Sequence, residues 1–316
     1  KKENATHIGV AFDPAGPTFR HEAFEQYKAQ REETPEAIRL SVPIIKEIIR
    51  AYRIPILEVA GYEADDVIGT LATEAGRQGI ITYMMTPDKD YGQLVSDKVF
   101  MYRPKHTGGF EVMGVDEVKA KFDIQSPAQV IDMLGLMGDS SDNIPGCPGV
   151  GEKTAQKLIA EFGSIENLLE HTNQLKGALK TKVETNREMI TFSKFLATIK
   201  IDVPIQLDMD SLVREQADED SLRQIFEELE FRTLIDRVLK KENAGNGITT
   251  PTGNKTAAEK SNLAPLPLFP EEGEAVQGDL FANFTGNEPG EAKNSNLATL
   301  ETLNCDYQLI DTEEKR

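Results

Sequence analysis

An α/β core with a mostly parallel sheet, followed by an all-α region, is the fold class this sequence predicts. Three observations lead there. Strand-like and helix-like segments alternate from His7 to Met113, the order that builds parallel sheets. Acidic residues recur where the strand-like runs end, on the edge where α/β sheets bind ligands. Beyond Pro145 the strand signal fades, and helical spacing dominates to about Lys240.

The elements follow in order. Residues 7–12 (His-Ile-Gly-Val-Ala-Phe) read as a buried parallel strand ending at Asp13. A basic, aromatic helix is expected over residues 21–31, before Pro35. Ile38, Val42, Ile45, Ile48, Ile49 and Tyr52 then repeat at helical spacing and are assigned to core packing. Residues 56–59 form a strand, 65–77 a helix, and 80–85 a strand that reaches Asp88. Residues 99–102 and 110–113 are edge strands around the Gly108-Gly109 turn, and 115–122 and 128–137 are helices. Pro148-Gly149-Val150-Gly151-Glu152-Lys153-Thr154-Ala155 opens a helix running to Phe162, and Gly163-Ser164 restarts a short one through Leu169.

Residues 241–304 are rich in Gly, Asn, Pro, Thr, Glu and Ala without a sustained period, a composition expected to be a disordered linker. It holds two small apolar islands, residues 265–269 and 278–281. Residues 305–311 read as a strand opening a domain that the chain does not complete.

Composition narrows the class. No apolar run reaches the roughly 18 residues of a membrane span. The chain starts at Lys1 without Met or a signal-peptide pattern, so a fragment or mature chain is expected. Cys147 and Cys305 lie far apart, neither in a Cys-x-x-Cys motif, and the four His are scattered; a reducing cytoplasm fits. A net charge of −18 looks adverse for a nucleic-acid binder. From residue 241 onward, however, 13 acids face 6 bases, and much of the remaining excess lies in the clustered carboxylates. Local basic patches therefore decide whether nucleic acid is held.

Eight carboxylates carry the chemistry: Asp13, Glu63, Asp65, Asp66, Asp88, Asp90, Asp139 and Asp142. A lone Asp after a strand is commonly a turn former or helix cap. Glu63 and Asp65 also suit the positive end of a helix, and Lys89 could neutralise Asp88 or Asp90. Their joint recurrence at strand ends points further. Acids gathered on one edge repel unless cations bind between them, and oxygen-only ligands favour Mg²⁺ or Mn²⁺. Two such ions roughly 4 Å apart are a device for in-line hydrolysis of a phosphodiester.

Arg20, Tyr27, Lys28 and Arg31 are spaced to lie near one helical face. The cations could clamp a phosphate and Tyr27 could stack on an unpaired base, or the face could be solvated, with Glu22, Glu25 and Glu32 as partners. At Gly149 and Gly151 a glycine hairpin opens a helix, where backbone N–H groups can approach a phosphate. Lys153 and Lys157 lie one turn apart beyond it. Gly-x-Gly alone is an ordinary turn; followed by Glu-Lys-Thr-Ala and a second short helix, it resembles a helix–hairpin–helix that grips duplex backbone without reading sequence.

The motifs Phe19-Arg20-His21, Tyr27-Lys28-Ala29-x-Arg31, Gly61-Tyr62-Glu63-Ala64-Asp65-Asp66, Asp88-Lys89-Asp90-x-x-Gln93-Leu94, Gly138-Asp139-x-x-Asp142-Asn143-Ile144-Pro145-Gly146 and Gly149-x-Gly151-x-Lys153-Thr154-Ala155 occur in that order. Over residues 4–240 the chain resembles the 5′-nuclease (flap endonuclease-like) domain of bacterial DNA polymerase I. The resemblance implies a PIN-like core with a helical arch over residues 1–144 and a helix–hairpin–helix duplex-binding region over 145–240. After the linker, 305–316 would begin a 3′–5′ exonuclease-like domain, with Asp311 near a proofreading Asp–Glu pair.

The resemblance also implies roles. Asp13, Glu63, Asp65 and Asp88, with Asp66 nearby, would serve one Mg²⁺, and Asp90, Asp139 and Asp142 a second. Lys28 and Arg31, with Arg20 and Tyr27, would act on the scissile phosphate, and Gly149, Gly151, Lys153, Thr154 and Lys157 on the duplex. The implied partners are branched or flapped DNA, RNA-primer hybrids and the rest of the polymerase in cis, for a monomer at the bacterial nucleoid. Family members open with a central strand ending in a metal-binding Asp. This chain starts at Lys1-Lys2-Glu3-Asn4, where that strand should have passed, so a fragment lacking it is expected. A non-catalytic branched-DNA binding module is the alternative. A PIN-type ribonuclease is disfavoured by the hairpin.

Overall fold

The computed structural model describes residues 5–105 and 107–239. The chain divides into two units, residues 1–264 and 265–316, and every described residue belongs to the first. The expected linker, its apolar islands, Cys305 and Asp311 lie outside the described residues.

Alternation builds the core, but in two pieces. β1 (Val10–Ala11) pairs in parallel with β2 (Ile56–Leu57), Val10 opposite Ile56. β3 (Thr82–Met85) pairs in parallel with β4 (Val99–Pro104), which runs antiparallel to β5 (Phe110–Met113). The single mostly parallel sheet of the sequence reading is therefore two ladders among the described residues. They are bridged by a helix, α3 (Ala64–Arg77). Its Val67 and Leu71 pack with Ala11, Leu57 and Val203, while Ala72 joins Met84, Val99 and Met101 in the main core. The strand expected over residues 7–12 is short because its start pairs elsewhere: Ile8 N–H donates to Leu212 O, and His7 bridges Val213.

The expected helix over residues 21–31 does not form as one piece. α1 (Phe19–Ala23) ends where Phe24 turns extended, and a turn carries the chain through Tyr27 and Lys28 to Arg31. Lys28 has φ 56°, which no helix contains; its N–H instead meets Asp142 O at 3.1 Å. α2 (Glu36–Ala51) follows the periodic Ile pattern. Only its second half packs as expected, with Ile48, Ala51 and Tyr52 against Leu222, Phe226 and Leu239. Ile38, Leu40 and Ile45 remain exposed.

α4 (Val115–Phe122) leads into the helical region, centred on α5 (Gln129–Met137), which is almost wholly buried. α5 packs on α6 (Glu152–Phe162), α7 (Ile165–Glu170) and α9 (Arg187–Ala197), with α8 (Gly177–Thr185) beside α9. Lys194 ties three of these helices together, reaching Asp132 at 2.6 Å and Glu166 at 2.8 Å. α10 (Glu219–Glu228) and α11 (Arg232–Val238) then return to α2. No helix among the described residues is long and apolar enough to cross a membrane.

The loop from Gly138 to Gly146 carries two of the acids. Asp139 and Ile144 exchange both backbone hydrogen bonds, pinching its base. Gly146 has φ 63°, and a Cβ there would run into the Gly138 backbone, so only glycine closes this loop.

Candidate functional site

Three segments converge on the N-terminus of α3: the α1 turn, the loop after β3, and the Gly138–Gly146 loop. Glu63 caps α3, and its N–H donates to Asp66. Asp66 is fully buried and accepts from both terminal nitrogens of Arg20 at 2.8 Å and from the Lys200 N–H. Both of its oxygens are thus paired inside the protein, away from the place expected for it beside a metal ion. Arg20 differs from expectation in the same way. It is 2% exposed, and its guanidinium also meets Glu63 and the carbonyls of Leu196 and Thr198. No donor is left for a phosphate, so Arg20 fixes carboxylates instead.

Tyr27 is likewise buried, at 3% exposure, and cannot offer a stacking face to a base. Its hydroxyl donates to Glu63 and Asp142, both at 3.1 Å, and burial followed by those acids holds the phenol far above its usual range. Lys28 and Arg31 do reach the site. Lys28 Nζ lies 2.6 Å from Glu63 and 3.7 Å from Asp142, and Arg31 meets Asp142 at 2.5 Å. Tyr27 and Lys28 each touch both Asp142 and Glu63, which ties Asp142 to the Glu63 side of the site.

The remaining acids stand nearby. Asp13 is exposed and accepts from the Ala64 N–H at 2.8 Å. Asp65 accepts from the Tyr91 hydroxyl at 2.7 Å; burial, with Asp88 and Glu63 adding, pushes its carboxyl up to about 6. Asp88 caps a short 3₁₀ turn through the Asp90 N–H. Burial, then Asp88, pushes Asp90 up to about 7, and its Oδ1 is buried without a hydrogen-bond partner. Burial alone would raise Asp139, but Lys89 at 2.7 Å and Ser141 outweigh it and hold the carboxyl below its usual range.

These donors suit a hard divalent cation: all are oxygens, neighbouring acids raise one another, and Asp90 keeps an unsatisfied oxygen. Among the described residues no three carboxylates enclose an ion as they lie. Lys28, Arg31 and Lys89 hold several of them individually. Linkage gives an expected result. In chelator, Asp65 and Asp90 are raised on folding, so the native state binds extra protons between about pH 4 and the folded values near 6 and 7. Their contribution should fall as pH rises through that window, and a divalent salt should restore part of it. Melting curves of wild type and Asp90→Asn check this; the variant should lose that part of the slope.

A second group lies on the helical region. Gly149 has φ 76°, and Gly151 caps α6. Lys153 and Lys157 are exposed on α6, with Thr154 half-buried between them. Lys182 of α8, which the sequence reading passed over, lies across the hairpin and donates to Gly149 O at 3.3 Å. Lys89, read from the sequence as a partner for Asp88 or Asp90, pairs with Asp139 instead. Tyr91 went unassigned, and nothing local marks it as Asp65's partner.

Comparison with known proteins places this geometry. Residues 1–123 match the family profile described as 5′-3′ exonuclease, N-terminal resolvase-like domain, and residues 125–220 that described as 5′-3′ exonuclease, C-terminal SAM fold. DNA polymerase I of Bacillus caldotenax is 41% identical over 239 residues, 75% of this chain and 27% of that protein. That of Bacillus subtilis (strain 168) is 43% identical over 238 residues, with the same two coverages. The chain thus spans about a quarter of the length of these relatives. The fold is shared with T5 5′-exonuclease carrying bound divalent metal ions (zinc), at TM-score 0.55 and 21% identity over 72% of this chain and 85% of that one. It is shared too with the Rad2 catalytic core in complex with DNA substrate, at TM-score 0.52 and 17% identity over 73% and 77%. From residue 1 to residue 220, across both its resolvase-like and its helical parts, the chain belongs to the 5′-3′ exonuclease family.

Proposed function

We propose that this chain is the 5′-nuclease part of a bacterial DNA polymerase I, cutting 5′ flaps and RNA primers from duplex DNA with divalent metal ions. The observation that carries the reading is the convergence of seven acids, one with an orphaned oxygen, beside Lys28 and Arg31. In this reading residues 1–144 supply the chemistry, residues 145–240 the grip, and the remainder of a polymerase acts in cis in the cytoplasm. Asp13, Glu63, Asp65 and Asp88 would hold one ion, and Asp90 and Asp139 another, with Asp142 between them. Mg²⁺ is the expected ion, with Mn²⁺ able to replace it. When bound, the pair supplies an activated water and offsets charge on the phosphate.

The chain's own residues do the rest. Lys28 and Arg31 present positive charge toward the scissile phosphate and oppose the charge that develops on its oxygens. Arg20 and Tyr27 keep Glu63 in place from the buried side. The Gly149–Thr154 hairpin offers backbone N–H groups and Lys153 to duplex phosphates away from the reacting bond. A 5′-flap substrate with Mg²⁺ tests the reading. Mg²⁺-dependent release of the flap supports it, and flap binding without cutting selects the non-catalytic module.

Lys153→Ala should weaken flap binding alike across sequences and lower the salt slope by about one, as loss of one phosphate contact does. Binding titrations at several salt concentrations check it. Unchanged affinity and slope would return the hairpin to a plain turn.

A further inference from the structure

Each half of the carboxylate cluster contains a cation of the chain's own. Lys28 Nζ lies 2.6 Å from Glu63 Oε1 and 3.7 Å from Asp142 Oδ2. Lys89 Nζ lies 2.7 Å from Asp139 Oδ2, with Asp88 and Asp90 flanking it in sequence. These are oxygens that the proposed function gives to divalent ions. An ammonium group at contact with a carboxylate repels a second cation placed on the same group, because like charges a few ångströms apart interact strongly where water is sparse. The ammonium groups and a divalent ion therefore compete for these carboxylates.

We propose that Lys28 and Lys89 are resident counter-cations, one for each carboxylate group, which position Glu63 and Asp139 until a divalent ion displaces them. The inference rests on the metal reading above. It assigns Lys89 a place in the reaction that no phosphate contact requires, and it gives Lys28 a second task.

The two displacements differ in consequence. Lys89 projects from a 3₁₀ turn with a side chain 40% exposed, so its ammonium can swing into solvent while the backbone stays. Lys28 is tied to its backbone. The turn that bears it is fastened to the Gly138–Gly146 loop by the Lys28 N–H on Asp142 O at 3.1 Å, Gln30 on Ser140 O at 2.5 Å and Asn143 on Gln26 O at 2.6 Å. Arg31 adds its own bond to Asp142. Lys28 sits there at φ 56°, a left-handed conformation that persists where surroundings enforce it. An ion that takes Glu63 and Asp142 removes the partners of both Lys28 and Arg31. The turn then loosens, and the two cations become available to a DNA phosphate. Ion loading and readiness for substrate become one event.

Calorimetric titration of Mn²⁺ into wild type, Lys28→Met, Lys89→Met and Lys89→Arg tests the competition, run at roughly pH 8.5 so that the acids are ionised. Each Met variant should bind Mn²⁺ about tenfold tighter at one class of site, and Lys89→Arg should stay near wild type. Hydrogen exchange on the unmutated chain tests the release: the Lys28 and Arg31 amides should exchange faster with saturating Mg²⁺ than in chelator. Mn²⁺ binding by wild type with equal or weaker binding by both Met variants overturns the proposal. So does slower or unchanged exchange at residues 28–31. Absence of Mn²⁺ binding by wild type removes the metal reading itself, and this inference with it.

Discussion

Asp139→Asn should lower flap cleavage about a thousandfold while flap binding stays within several-fold. Asparagine keeps the shape of the side chain and an oxygen for the Ser141 N–H and hydroxyl, so the loop retains its local bonds. What disappears is the negative charge that holds Lys89 and would face a divalent ion. Losing a metal-facing charge removes several kcal/mol of transition-state stabilisation, and each ~1.4 kcal/mol is a factor of ten in rate. The Gly149–Thr154 hairpin lies on the helical region and is untouched. Single-turnover cleavage and equilibrium binding on the same flap separate the two effects. Wild-type turnover would remove Asp139 from the site, and collapse of binding would make it a structural residue.

Arg20→Ala should destabilise the fold by about 3–5 kcal/mol, because it leaves Asp66 buried without a cation and takes from Glu63 its buried partner, with Lys28 and Tyr27 still on that group. For a unit of this size that is a fall in melting temperature of about 10 °C. Arg20→Lys should recover little. A single ammonium cannot reach Glu63, both oxygens of Asp66 and the carbonyls of Leu196 and Thr198 together, as the planar fork does. Thermal melts of both variants check the expectation, and a loss under about 2 °C in the alanine variant would show that the pair is not holding the α3 terminus. Cleavage should fall as well, because Glu63 would lose its buried support.

How far these outcomes were readable from the sequence differs by residue. The positions of β3 to β5, α3, α4 and the hairpin helix α6 were legible, since period and turn chemistry are local properties. That Glu63, Asp65, Asp90, Asp139 and Asp142 share one neighbourhood was legible, though not for the reason that strand ends share an edge: Glu63 and Asp65 open α3, and Asp139 and Asp142 follow the helix α5. Orientation was not. Arg20 and Lys28 have the same charge and lie eight positions apart, yet one is buried under α9 and the other reaches the site. Helical spacing assumed a helix that Phe24 breaks, and no local signal announces that the Leu196 and Thr198 carbonyls wait for Arg20. Likewise α2 shows a clear apolar stripe, but which of its residues find a partner depends on helices more than 160 positions later.

That last contact has a consequence for biosynthesis. Ile48 and Ala51 have no apolar cover until Leu222, Phe226 and Leu239 have been made. Residues 6–8 likewise wait for their backbone partners at Leu212, Val213 and Arg214. Translation proceeds at roughly 5–20 residues per second, so the emerging chain carries α2 uncovered for on the order of ten seconds. During that interval its Ile38, Leu40 and Ile45 lie open together with the face that α10 and α11 will later hide. A ribosome stalled before Ser211 should therefore display α2 as a sticky amphipathic segment, ready for a chaperone or for a neighbouring nascent chain.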